Sequence, residues 1–180
     1  MSFCGTLEHN RGAGFLTLAL HCIVLNDPLL AIEDARYEAE HGKKRTSRKR
    51  RSEPAAETGQ LQMFPLTTEQ RGEYASLAKT MRYFLDSYRE DVTKTKPKTG
   101  QKMFGEGGRL DGLEYCDYEF YDFWYGMIRR DEAKFEEQAE ALAKLGEGVV
   151  PGDCKPTIDF LSSVNGWALH RHEDSRGGCF

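Results

Sequence analysis

The segment LTTEQRGEYASLAKTMRYFLDSYREDV, residues 66–92, leaves this chain the least freedom. Tyr74, Leu77, Ala78, Met81, Phe84, Leu85 and Tyr88 recur at intervals of three and four, the spacing that lines one face of an α-helix. Thr68 is placed to cap it. A helix this long carries an apolar stripe that other elements must cover, so the fold is organised by packing around it.

A second helical pattern occupies LEYCDYEFYDFWYGMIRRDEAKFEEQAEALAKLG, residues 113–146. Seven of the twenty aromatics fall between Tyr115 and Tyr125, and aromatics favour strands, so a strand is the alternative there. Helical spacing sorts the residues better. Leu113, Cys116, Phe120, Phe123, Trp124 and Met127 form one stripe, and Glu114, Tyr118, Tyr121 and Tyr125 form the opposite one. Gly126 is positioned to kink or divide the segment, and Gly146 to stop it. KPTIDFLSSVNGWALHRH, ending at 172, reads as a weaker helix, with 173–180 as a tail.

At the N-terminus, GFLTLALHCIVLNDP is apolar at nearly every position, so periodicity cannot separate strand from helix. Its flanking Gly and Asn-Asp-Pro tilt residues 14–25 toward a strand. Asp27 and Pro28 then look like the cap and first residue of a helix ending near Gly42. The expected fold is mainly α, a bundle-like single domain with a small N-terminal β element; α+β is the alternative. The core parts are 1–42 and 66–172, separated by a linker at 43–65 and interrupted by a loop at 93–112. The apolar run is too short to span a bilayer and a poor signal peptide, and five cysteines form no CxxC pair. A soluble, cytoplasmic protein is expected, nuclear if the source is eukaryotic, with no membrane partner.

Charge is segregated. Lys43, Lys44, Arg45, Arg48, Lys49, Arg50 and Arg51 carry the linker's start, while residues 111–147 hold eleven acids against four bases. The basic run has the density to neutralise phosphates, or to remain a solvated linker. It has no interleaved aromatics for base stacking. On α-helical geometry, Tyr118, Tyr121 and Tyr125 project from the core beside Glu114 and Asp122, an acidic tyrosine face suited to a basic protein partner. The opposing reading is that further helices cover it.

Metal and catalytic signals are sparse. Cys154, His170, His172 and Cys179 supply ligand types at spacings that fit no finger, and Cys4, His9, His21 and Cys22 are weaker still. No metal or cofactor is expected, and no catalytic residue is assigned. A metal-dependent nuclease or nucleotide-acting enzyme using the carboxylates of 111–122, with Asp117, Glu119, Asp122, His170 and His172 converging, is the alternative function.

One short stretch of the linker stands out. Gln60, Leu61, Met63 and Phe64 lie in GQLQMFP, and this spacing resembles the peptide by which bacterial polymerases and repair factors dock on the DNA sliding clamp. The resemblance implies Gln60 at a pocket rim and Met63 with Phe64 filling an apolar cleft. The other reading is that the same side chains anchor the linker to the protein's own helices. The function expected from the whole chain is a non-enzymatic interaction factor acting near nucleic acid, of the kind that inhibits or recruits host machinery for a phage or plasmid, or a subunit of a larger assembly.

Overall fold

A computed structural model describes residues 12–42, 66–93, 113–116 and 118–177. The described residues form five helices and no strand: α1 (Ala13–His41), α2 (Thr68–Thr93), α3 (Tyr118–Arg130), α4 (Glu132–Gly146) and α5 (Lys155–Gly177). They make two antiparallel pairs, α1 with α5 and α2 with α4, and α3 closes one end. In the first pair Asn165 donates to the Ala19 carbonyl at 2.8 Å, and Asn26 donates to Ser162 Oγ at 3.1 Å. In the second, Arg89 meets Glu132 at 2.7 Å and Glu136 at 2.9 Å, while Gly146 sits against Ala75 at the other end. Tyr74 ties the pairs together by donating to the Leu25 carbonyl at 2.6 Å.

The mainly helical architecture is as the pattern indicates, and the local departures are instructive. Residues 14–25 are not a strand. They open a single helix in which Phe15, Leu18, Ala19, Cys22, Leu25, Asn26 and Leu29 are buried, a clear 3.6-residue period. Asp27 is not a cap, because Pro28 lies inside the helix and costs it one backbone hydrogen bond rather than ending it. The helix ends at Gly42, whose φ of 59° is the left-handed value a C-terminal glycine supplies, and its N–H reaches the Glu38 carbonyl at 2.9 Å. By length and mean hydropathy (1.8 over its most apolar window), α1 also meets the requirements of a membrane-crossing helix, requirements that core helices and leaders meet equally.

The start of α2 is capped by Thr67, not Thr68. Thr67 Oγ1 accepts from Gln70 N at 3.1 Å, and Gln70 Oε1 accepts from Thr67 N at 2.9 Å. This reciprocal capping box requires Gln three residues on, which Thr67 has and Thr68 lacks. The break between α3 and α4 falls at Asp131, whose carboxylate accepts from Lys134 N at 3.0 Å, and not at Gly126, which lies exposed within α3. Residues 113–116 are not helical, so the stripe expected to begin at Leu113 starts at Phe120. Helix α5 continues through residues 173–177, beyond the expected tail boundary.

Aromatic packing fills the centre. Trp124 is fully buried and faces Phe84 of α2, Phe123 of its own helix and Phe135 of α4, with centroids 5.0–6.0 Å away. Phe120 packs on Phe15 of α1 at 4.5 Å. Helix α3 is therefore the wedge on which both pairs close.

Candidate functional site

The residues that follow the loop, Leu113 to Cys116, are held tightly. Thr80 Oγ1 donates to the Glu114 carbonyl at 3.0 Å, and Trp124 Nε1 donates to the Tyr115 carbonyl at 3.3 Å. Tyr115 has a φ of 50°, a strained left-handed conformation for a residue with a side chain, at a cost on the order of 1 kcal/mol. These contacts hold the strain in place and aim the Tyr115 ring at α1. There its hydroxyl lies 3.0 Å from His21 Nδ1.

His21 interrupts the apolar run of α1 between Leu18 and Leu25. Its Nε2 faces a cleft of about 550 Å³ lined by Thr17, Leu20, Val24, Glu73, Glu114 and Tyr115. Glu73 Oε2 approaches Nε2 to 2.8 Å, yet from off the direction in which the ring nitrogen donates or accepts, so this buried nitrogen makes no hydrogen bond. The donor atoms of His21, Glu73 and Glu114 lie within 4.8 Å of one another; among the described residues this is the grouping of histidine, cysteine and carboxylate ligands able to share one ion. Burial first, then the Glu114 carboxylate, Cys22 and Glu73, push the Tyr115 phenol well above its ordinary pKa. It therefore stays protonated and able both to donate and to accept.

On the solvent side of this cleft runs an unusual surface. Leu20, Ile23 and Val24 are 55%, 49% and 61% exposed, and Leu16 and Leu30 extend the row along the same face of α1. Further along, the face turns acidic through Asp27, Asp34 and Glu38. Arg36 is the only Lys or Arg of α1, and it is engaged with Glu33 and with the carbonyls of Pro151 and Gly152 at 2.8–2.9 Å.

The residues singled out from the sequence are placed as follows. Tyr121 and Tyr125 do not project freely: both are half-buried against α2. The Tyr121 hydroxyl lies 2.7 Å from that of Tyr83, and Tyr125 donates to Asp91 at 2.6 Å. Burial first, then this bond to Asp91, push the Tyr125 phenol upward. Asp122 is exposed on α3, and Glu114 is exposed in the segment before it. Tyr118 opens α3, but its side chain lies outside the described residues.

So do Lys43, Lys44, Arg45, Arg48, Lys49, Arg50 and Arg51, together with Gln60, Leu61, Met63, Phe64, Asp117, Cys4, His9 and Cys179. Cys154 and His170 stand apart: Cys154 immediately precedes α5 and His170 lies some four turns into it, roughly 24 Å away at 1.5 Å per residue. Cys154 is buried beside Arg36, whereas His170 pairs with Asp174 at 3.3 Å, and His172 Nδ1 meets the Gly12 carbonyl at 2.9 Å. Of the described carboxylates in 111–122, Glu114 joins the metal-competent grouping; Glu119 and Asp122 do not, nor do His170 and His172.

Sequence reasoning missed two features. His21, Glu73 and Glu114 come from three separate elements, and nothing in their local spacing connects them. The exposed face of α1 did leave a trace, an apolar run with no polar side. Comparison with protein families, curated proteins and solved structures gives no match to this chain.

Proposed function

We propose that this is a non-enzymatic interaction protein that docks an amphipathic helix of a protein partner along α1. The observation that carries the reading is the contiguous exposure of Leu16, Leu20, Ile23 and Val24 on one helix face. Large exposed apolar patches are rare on monomers and mark binding surfaces. An i, i+4, i+7, i+8 row is the complement of a helix that presents its own apolar stripe.

Charge specifies the occupant further. The row is bordered by Glu73 and Glu114 and continues into Asp27, Asp34 and Glu38, so the partner helix carries Lys or Arg beside its apolar stripe. Glu114 keeps a place at this rim, whereas Tyr121 and Tyr125 are largely committed to α2. The basic run 43–51 adds a nucleic-acid contact in this reading, salt-dependent and indifferent to sequence.

The test is purification of partners from the native host with the natural chain and with a Leu20→Gln/Ile23→Gln variant, followed by reconstitution of each recovered pair from pure components. A partner that binds the natural chain directly and loses binding to the variant supports the reading. Equal recovery by both places the surface elsewhere. A concentration-dependent dimer of the chain alone assigns the face to a second copy. Release of the face by Met63→Ala/Phe64→Ala assigns it to the linker, and co-sedimentation with neutral vesicles assigns it to a membrane. Each of those results overturns the proposal.

A further inference from the structure

The structure assigns a second role to the cleft beside α1: we propose that His21, Glu73 and Glu114 bind one divalent transition-metal ion of the Zn2+ class. The first ground is geometry. Ligands about 2.0–2.2 Å from a common ion lie up to about 4.3 Å apart. The three donor atoms here already fall within 4.8 Å, and Glu114, being exposed, closes the remainder by a side-chain rotation.

The second ground is independent of the carboxylates. The His21 side chain is only 10% exposed, its Nε2 is aimed into the cleft, and that atom is buried without a hydrogen-bond partner. Buried polar nitrogens are rarely left without an aligned partner, because burial removes the water that would otherwise satisfy them. A metal ion satisfies it directly. Glu73 Oε2 stands beside Nε2 at 2.8 Å rather than in line with it, and a shift of the carboxylate by about 0.5 Å brings the two to the separation of ligands on one tetrahedral ion.

The third ground is orientation of the imidazole. When Nδ1–H donates to Tyr115 Oη, 3.0 Å away, Nε2 is the unprotonated nitrogen and its lone pair is free for an ion. Tyr115 serves as a positioning residue, and the left-handed φ that it maintains is what brings its hydroxyl there. The donor set decides the metal. One imidazole and two carboxylates without a thiolate suit borderline divalent ions. They are too few oxygens for Ca2+ and include a nitrogen that Mg2+ disfavours. Three protein ligands leave a coordination position open toward Leu20 and Val24, as in open rather than closed zinc sites.

The experiment is calorimetric titration of Zn2+ into the full chain, with absorption spectra of the Co2+ form as the second readout. The expected result is one tight ion per chain, affinity lower by tenfold or more in Glu73→Gln and in Glu114→Gln, and about tenfold lower in Tyr115→Phe. The Co2+ form is expected to lack the near-ultraviolet band of thiolate ligation. Glu73 and Glu114 are outside the core, so circular dichroism of these two variants should match the natural chain and keep the reading clear of misfolding. Absence of binding to the natural chain overturns the proposal. So does unchanged affinity in the double carboxylate variant, and so does a thiolate band that disappears in Cys4→Ser/Cys179→Ser. None of these outcomes depends on whether a partner helix docks on α1.

Discussion

The two antiparallel pairs share a plan and differ in what they show to solvent. The outer side of α2 and α4 is that of a finished surface. Arg89 bridges Glu132 and Glu136, Lys79, Arg82 and Asp86 point outward, and the large apolar residues lie inside except Val92 at the end of α2. The outer side of α1 is instead built of Leu16, Leu20, Ile23 and Val24, with Trp167 and Leu169 exposed on its partner α5. Both pairs bury one face, so the demands of folding do not explain the second apolar face of α1. The contrast separates what the chain needs to fold from what it carries beyond that.

Substitutions can break this comparison, in descending order of expected effect. Trp124→Ala removes the wedge shared by both pairs and is expected to cost about 3–5 kcal/mol, read from the shift in urea midpoint. Gly146→Ala acts on the finished pair alone. An added Cβ would stand 2.8 Å from Ala75 Cβ and 3.0 Å from its Cα, so α4 must move away from α2, at about 1–3 kcal/mol. Asp131→Ala deletes the cap of α4 and is expected to cost about 1 kcal/mol by the same measurement.

Arg89→Met tests the charged outer face, with an effect smaller again and weakened by salt. Arg89, chiefly by its hydrogen bonds, holds the Glu136 carboxyl below the usual carboxylate range. That contribution is complete above the unfolded pKa and is lost as pH falls through the lower folded value. The variant should accordingly show a flatter acid limb in a stability–pH profile. Smallest of all is Leu20→Gln/Ile23→Gln on α1, expected to change stability by no more than about 0.5 kcal/mol. A loss of several kcal/mol there would mean that these side chains serve the fold, and the distinction between the two pairs would fail.

The same contrast explains what could be read from the sequence. Helix α2 was legible because its exposed positions are polar, so its buried stripe stands out. Helix α1 was not, because Leu20 and Val24 outside are as apolar as Leu18 and Leu25 inside, and the period disappears. Pro28 then looked like a beginning when it is an interior residue. Tyr121 and Tyr125, expected on an outward face of α3, pack against the core instead. Their cover came from Tyr83 and Tyr88, whose proximity is a tertiary fact. The histidine–carboxylate cleft depends on a left-handed Tyr115 and on three elements meeting, and neither has a local signature.

The central claim is that the outer face of α1 is a docking surface, and in-cell photo-crosslinking addresses it directly. A photoreactive residue is placed at Val24 in one chain and at Glu137, on the exposed side of α4, in another. The account predicts a discrete crosslinked protein from position 24 that is absent from position 137, and whose joined peptide is an amphipathic helix rich in Lys or Arg. Identical patterns from both positions, or crosslinks from Val24 only to lipid or to this chain's own residues, would contradict it.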